Sequence, residues 1–121
     1  MDKRVMDGET AETAETVAGV VRLLQRAAVL EWARSDAEGP RSARQMSALG
    51  IDVLVGEALD LLPTGLGVGG PVPPGDDPAG LLRSAESLLL TLVGGPGASA
   101  YSRLAGRVGD LVWELNAHAS Q

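Results

Sequence analysis

The stretch from Ser99 to Gln121, SAYSRLAGRVGDLVWELNAHASQ, decides the fold that the sequence predicts. Its apolar residues recur every three or four positions, which is the spacing of one face of an α-helix. These residues are Tyr101, Leu104, Ala105, Val108, Leu111, Val112, Leu115 and Ala119. An isolated helix is marginally stable in water, so the rest of the chain must cover this apolar face.

The composition favours helices over a sheet. The 121 residues have the length of one domain, and we treat residues 1–121 as a single helical domain. Hydrophobic residues make up 45% of the chain, yet it has no Phe, one Tyr and two Trp. The core must therefore consist mainly of Leu, Val and Ala, whereas strands favour aromatic and β-branched residues.

Three further amphipathic segments precede the last one. The first covers residues 17–34 and the second residues 41–62, where we expect the helix to continue through Gly50 at a cost of about 1 kcal/mol. From Ile51 onward, the second segment is expected to be the most buried part of the fold. The third starts at Asp77-Pro78, an N-cap followed by proline. Together they predict an all-α fold, a compact antiparallel bundle of about four helices.

Two regions are expected outside the helices. Residues 1–8 carry mixed charge and end at a glycine, which indicates a loose N-terminal arm. The acidic repeat ETAETAET at 9–16 is interpreted as the solvated start of the first helix. Residues 63–77, PTGLGVGGPVPPGDD, form a flexible Gly/Pro-rich loop between the second and third helices. This loop is either mobile or folds back over one end of the bundle.

The residues that most catalytic and metal sites need are scarce. The chain has no Cys, which excludes disulfides, thiolate metal sites and cysteine nucleophiles. Its one histidine, His118, follows Glu114 by four positions, whereas di-metal bundles need Glu-x-x-His twice. The glycines at 65–70 follow a helix instead of a strand and lack the GK[ST] of a phosphate loop. We therefore expect a protein that is not an enzyme and has no catalytic residues, metal or cofactor.

The charge and hydropathy of the chain limit its partners. The formal net charge is −6, which repels phosphate backbones, so nucleic acid is not the expected partner. No apolar run approaches the length that spans a bilayer, and the N-terminus lacks the apolar core of a signal peptide. We expect no membrane association and a cytoplasmic location.

A DNA-binding transcriptional regulator is one alternative. Within residues 41–60, the run RQMSALGIDVLVGEAL (44–59) resembles a degenerate helix-turn-helix with its turn at 49–51, and also the first helix of ribbon-helix-helix repressors. In that alternative, Arg41 and Arg44 would contact DNA. The helix after the turn nevertheless carries acids and no Arg or Lys, although base and phosphate contacts require basic or amide side chains. These acids are Asp52, Glu57 and Asp60.

The favoured interpretation is a protein–protein interaction module. The apolar stripes of the first two helices are wider than a four-helix core needs. Leu23 and Leu30 widen the first stripe, while Trp32 and Trp113 belong to a residue type that is enriched in binding hot spots. We expect these four residues at the interface of a homodimer or of an inhibitor- or regulator-type protein with its partner. A carrier of a small apolar ligand between the helices is a third alternative.

Overall fold

The computed structural model of the chain describes residues 3–39, 43–62, 70, 73–95 and 98–119, and side chains between positions 12 and 117 of these ranges. The described residues form four helices and no strand: α1 (Lys3–Glu38), α2 (Ala43–Asp60), α3 (Pro78–Leu90) and α4 (Ala98–Ala119). The predicted all-α bundle is confirmed. None of these helices, over the described positions, is both long and apolar enough to cross a bilayer.

Each helix packs against two neighbours. α1 contacts α2 and α3, and α4 contacts the same two helices, so that α1 lies diagonally opposite α4. Neighbouring helices run antiparallel. In the α1–α3 pair, Leu88 near the end of α3 packs over Gly19 in the first half of α1. Arg34 near the end of α1 donates to the backbone carbonyl of Asp76, just before α3 begins, at 3.1 Å. α2 and α3, on the other diagonal, therefore run in the same direction.

The parallel arrangement of α2 and α3 explains the long connection between them. α2 has 18 residues and spans about 27 Å, so the chain must return over that length before α3 can begin. Of the predicted loop at 63–77, positions 63–69 and 71–72 lie outside the described residues. Gly70 lies against the guanidinium of Arg22 in α1, and residues 73–77 have no regular secondary structure.

The helix signals read from the sequence are found where predicted. The Asp77 carboxylate accepts a hydrogen bond from the Gly80 amide at 3.2 Å, and Pro78 occupies the first turn of α3. α2 continues through Gly50, as expected. α1 stops at Gly39, whose φ of 96° lies in the left-handed region that commonly ends helices.

The loose arm predicted at residues 1–8 is wrong from Lys3 onward, because α1 already begins there. Lys, Arg, Met and Glu are good helix formers, and extending an existing helix avoids the cost of nucleation. α1 also continues beyond residue 34 to Glu38, and Ser35 in this extension is buried.

The core is built from small and aliphatic side chains, as the composition predicts. Tyr101 is the aromatic residue of the buried cluster. The apolar face of α4, which starts at Tyr101, is buried through most of its length, with Leu111 partly exposed. Fully buried apolar side chains elsewhere in the bundle include Val17, Val20, Val21, Leu24, Ile51, Leu82 and Leu89.

Candidate functional site

An apolar stripe is exposed on α2. Met46, Leu49 and Val53 are 63%, 45% and 54% exposed, and their spacing of three and four residues places them on one side of the helix. The core-facing side of the same helix is formed by Ile51 and Leu54, which are buried. We call Met46, Leu49 and Val53 the α2 stripe.

A groove between α2 and α4 borders the α2 stripe. It has a volume of about 300 Å³. The two helices come close at its floor because residue 50 is glycine, where a Cβ would lie 3.2 Å from Cδ2 of Leu111. The groove is lined by Gly50, Val53, Leu54, Arg107, Asp110 and Leu111.

A second hollow, of about 160 Å³, continues along the same two helices. Arg107 lines both hollows and forms an ion pair with Glu57 across the helix interface. The remaining lining residues of the second hollow are Asp60, Leu61, Ala100, Arg103 and Leu104. The α2 stripe and the two hollows together are called the α2–α4 face.

The border of the α2–α4 face is mainly acidic. Asp110 lies on the groove, Glu114 follows it one turn later on α4, and Asp60 continues the line of the α2 stripe. Two arginines also lie on this face: Arg107 is paired with Glu57, and Arg103 lines the second hollow, so the three carboxylates outnumber the one remaining arginine. An apolar surface with excess negative charge at its edge therefore covers this side of the bundle.

The structure does not bring the four predicted interface residues together. Leu23, Leu30 and Trp32 lie on α1 and pack partly against the core, and the indole N–H of Trp32 donates to the Asp52 carboxylate at 2.8 Å. Trp113 lies on the diagonally opposite helix and is 75% exposed. It lines neither hollow and follows Gly109, which lies against Glu86 of α3, by four positions, so Trp113 is on the α3 side of α4 and outside the α2–α4 face. An interface at these four residues stays a prediction.

The residues of the α2 stripe were not predicted, although the sequence indicates more apolar width on the second helix than a four-helix core needs. The part of this helix from Ile51 onward was expected to be the most buried part of the fold, yet Val53 and Leu59 are exposed. A signal was present, because residues 46, 49 and 53 form one helical stripe and residues 51, 54 and 58 form another. Two separate apolar stripes on one helix indicate that one of them faces away from the core.

A small cavity lies at the end of the bundle where α1 ends and α3 begins. All four helices contribute to its walls, and its volume is about 50 Å³. We call it the Glu31 cavity, because Glu31 is fully buried there. The lining residues are Glu31, Arg34, Arg44, Asp77, Pro78, Ala79, Leu115 and Asn116.

The two carboxylate oxygens of Glu31 differ in their surroundings. Oε1 accepts a hydrogen bond from Nη1 of Arg44 at 3.0 Å, whereas the buried Oε2 has no hydrogen-bond partner. Arg44 also forms an ion pair with Glu38 near the end of α1. The Glu31 cavity thus holds a buried carboxylate that is only half paired.

The ion pairs of Arg44 bear on the DNA alternative. Its guanidinium is bound to Glu31 and Glu38, so a phosphate would have to compete with two carboxylates. Arg41, the second predicted DNA contact, lies outside the described residues. The exposed side of α2 carries the apolar α2 stripe, which offers no hydrogen bonds to base edges.

Acidic and histidine side chains do not gather in threes as a metal site would need, within the part of the chain that the structure describes. No protein-family model matches the chain, and neither does any curated protein or solved structure.

Proposed function

We propose that this chain is a non-enzymatic interaction module whose α2–α4 face binds an amphipathic helix of a partner protein. The partner helix has an apolar side bordered by Lys or Arg, and binding makes this chain an inhibitor- or regulator-type protein. The observation that carries the proposal is the exposed α2 stripe beside a groove. We also propose a cytoplasmic location for the protein, as the sequence predicts.

The shape of the α2–α4 face supports a helical ligand. Helix-in-groove recognition uses apolar anchors at helical spacing on a partner, which lie in a hydrophobic groove. The groove beside Val53 runs between two antiparallel helices, and Leu111 supplies part of its apolar floor. Covering the α2 stripe would remove three large apolar side chains from water, at about 25 cal/mol per Å² of buried apolar area.

The charge of the border supports a basic partner over a second copy of this chain. In a two-fold symmetric dimer the same acidic border would be present on both sides of the interface. Like charges that meet across an interface oppose binding, whereas opposite charges favour it and accelerate association. Asp110, Glu114 and Asp60 outnumber Arg103, the arginine of this face outside the Glu57 pair, and therefore favour flanking Lys or Arg on the partner.

The test uses a synthetic helical peptide with a Leu side bordered by Lys, and its counterpart bordered by Glu. Fluorescence anisotropy should show that the Lys peptide binds and the Glu peptide does not. Val53→Lys in the α2 stripe should weaken binding of the Lys peptide at least about tenfold, or 1.4 kcal/mol. Val29→Lys is the matched control, because Val29 is 59% exposed on α1 and the charge change is identical.

Two results would contradict this function. Equal weakening by Val53→Lys and Val29→Lys would show that the peptide responds only to net charge. Sedimentation of the protein alone should give a monomer. A dimer that Val53→Lys dissociates and Val29→Lys leaves intact would show that a second copy occupies the α2–α4 face.

A further inference from the structure

We propose that the Glu31 cavity binds a primary ammonium group, through a hydrogen bond from the ammonium to Oε2 of Glu31. This site lies at the end of the bundle and is independent of the α2–α4 face. Its ligand is either a small free amine or the side chain of a lysine, and the two share the same ammonium chemistry.

One carboxylate oxygen of Glu31 is unpaired. Glu31 is fully buried and lines the cavity, its Oε1 is held by Arg44, and its buried Oε2 has no hydrogen-bond partner. A buried acceptor without a partner destabilises the fold, and the cost is larger for a charged group. An N–H donor in the cavity would remove this cost, and a charged donor would form the stronger bond.

The charged groups around the cavity bear on the sign of the ligand. Glu31 and Glu38 share the single guanidinium of Arg44. Asp77 adds a third carboxylate, which caps α3 and so offsets the positive end of that helix. Arg34 also lines the cavity, where it donates to the backbone carbonyl of Asp76. The lining itself is balanced, with Glu31 and Asp77 against Arg34 and Arg44, and Glu38, which binds Arg44 from outside the lining, adds the one extra carboxylate that favours a cation.

The size of the cavity and the free acceptor in it limit which cation can bind. A cavity of about 50 Å³ holds only a few heavy atoms, since one water needs roughly 10–15 Å³ by the same measure. A guanidinium gains most from bidentate pairing with both carboxylate oxygens, and Oε1 of Glu31 is already occupied. A hard metal ion needs several oxygen ligands, whereas the Asp77 carboxylate is bound to the Gly80 amide. A compact ammonium fits the small volume and needs only one free acceptor oxygen.

The experiment is a titration of the ¹⁵N-labelled protein with methylammonium chloride, followed by the amide signals of Glu31 and Ala79. Sodium chloride and tetramethylammonium chloride at equal ionic strength are the controls, because neither cation carries an N–H donor. Saturable shifts with methylammonium alone are expected. Nα-acetyl-lysinamide forms the second arm. Binding of Nα-acetyl-lysinamide would show that a lysine side chain can enter the cavity. If methylammonium binds and Nα-acetyl-lysinamide does not, the ligand is a free amine.

The matched variants are Glu31→Gln and Glu38→Gln. Gln at position 31 keeps the size and the acceptor for Arg44 but removes the second carboxylate oxygen, so methylammonium binding should weaken at least about tenfold. Glu38→Gln removes the other carboxylate on Arg44 and should change binding much less. If Glu31→Gln does not fold, Ala79→Val narrows the cavity and should block the shifts instead.

Three outcomes would overturn the proposal. The first is that millimolar methylammonium gives no saturable shifts. The second is that tetramethylammonium gives equal shifts. The third is that Glu31→Gln and Ala79→Val both bind methylammonium as tightly as the parent protein. Each would mean that methylammonium does not bind Glu31 in this cavity. None of them affects binding of the Lys-bordered peptide to the α2–α4 face, so the two proposals fail separately.

Discussion

The guanidinium of Arg44 at the start of α2 lies 3.0 Å from the fully buried carboxylate of Glu31 in α1. This pair predicts a strongly non-additive response to mutation. Arg44→Met leaves a buried carboxylate without its partner, so the free energy of unfolding should fall by about 3–5 kcal/mol. Adding Glu31→Leu removes the unpaired charge and should restore most of that loss, as measured by urea denaturation. A double variant as unstable as Arg44→Met alone would contradict this account of the pair.

Asp77 and Asp76 offer a matched test of the cap on α3. The Asp77 side chain accepts a hydrogen bond from the Gly80 amide, whereas Asp76 accepts one from Arg34 through its backbone carbonyl. Asp77→Ala should lower the free energy of unfolding by about 1 kcal/mol. Asp76→Ala should change it by less than about 0.5 kcal/mol. Equal effects in thermal or chemical unfolding would mean that general charge, and not the cap, is responsible.

Gly56 and Gly39 should respond to alanine in opposite directions. Gly56 is exposed within α2, and a Cβ built there meets nothing within 4 Å. Gly56→Ala should therefore stabilise the protein by about 0.5–1 kcal/mol, through higher helix propensity. Gly39 has a φ of 96°, so Gly39→Ala should destabilise by about 1 kcal/mol although space is available. Chemical unfolding of the two variants beside the parent protein measures both changes.

The two tryptophans should differ in fluorescence. Trp32 is partly buried and bonded to Asp52, while Trp113 is largely exposed on α4. The Trp113→Phe variant, which reports Trp32 alone, should emit at shorter wavelength and resist acrylamide quenching. The Trp32→Phe variant should emit at longer wavelength and be quenched readily. Similar quenching of the two variants would contradict the different exposures.

Binding of a partner to the α2–α4 face should not change the acrylamide quenching of either tryptophan. Trp113 lies on the α3 side of α4, one turn after Gly109, and Trp32 lies on the diagonal helix, so neither belongs to that face. The measurement is quenching of Trp32→Phe and Trp113→Phe with and without the Lys-bordered peptide. Protection of either tryptophan would point to binding at a different surface.

Local patterns predicted much of the fold because they act over a few residues. The cap at Asp77 and the apolar face of α4 are both set within a few helical turns. The early start of α1 at Lys3 was missed because mixed charge and Gly8 resemble a solvated arm. Helix propensity and continuation from an existing helix favour the helical state there.

Surface and cavity residues were harder to predict because they depend on neighbours distant in sequence. Leu23 and Leu30 were predicted at an interface because they widen the apolar stripe of the first helix, and both pack partly against the core. Val53 was expected in the buried part of the second helix, which begins at Ile51, and it is exposed. Apolar character alone does not tell which side of a helix meets another helix.

The sequence by itself determined that this protein is a bundle of helices with a Leu, Val and Ala core, because periodicity, caps and composition are local properties. Only the tertiary structure decided which apolar stripe of α2 stays exposed and that Glu31 meets Arg44 at the end of the bundle. Both depend on the register of antiparallel helices, which is set by packing among all four. That packing positions the two surfaces proposed for binding.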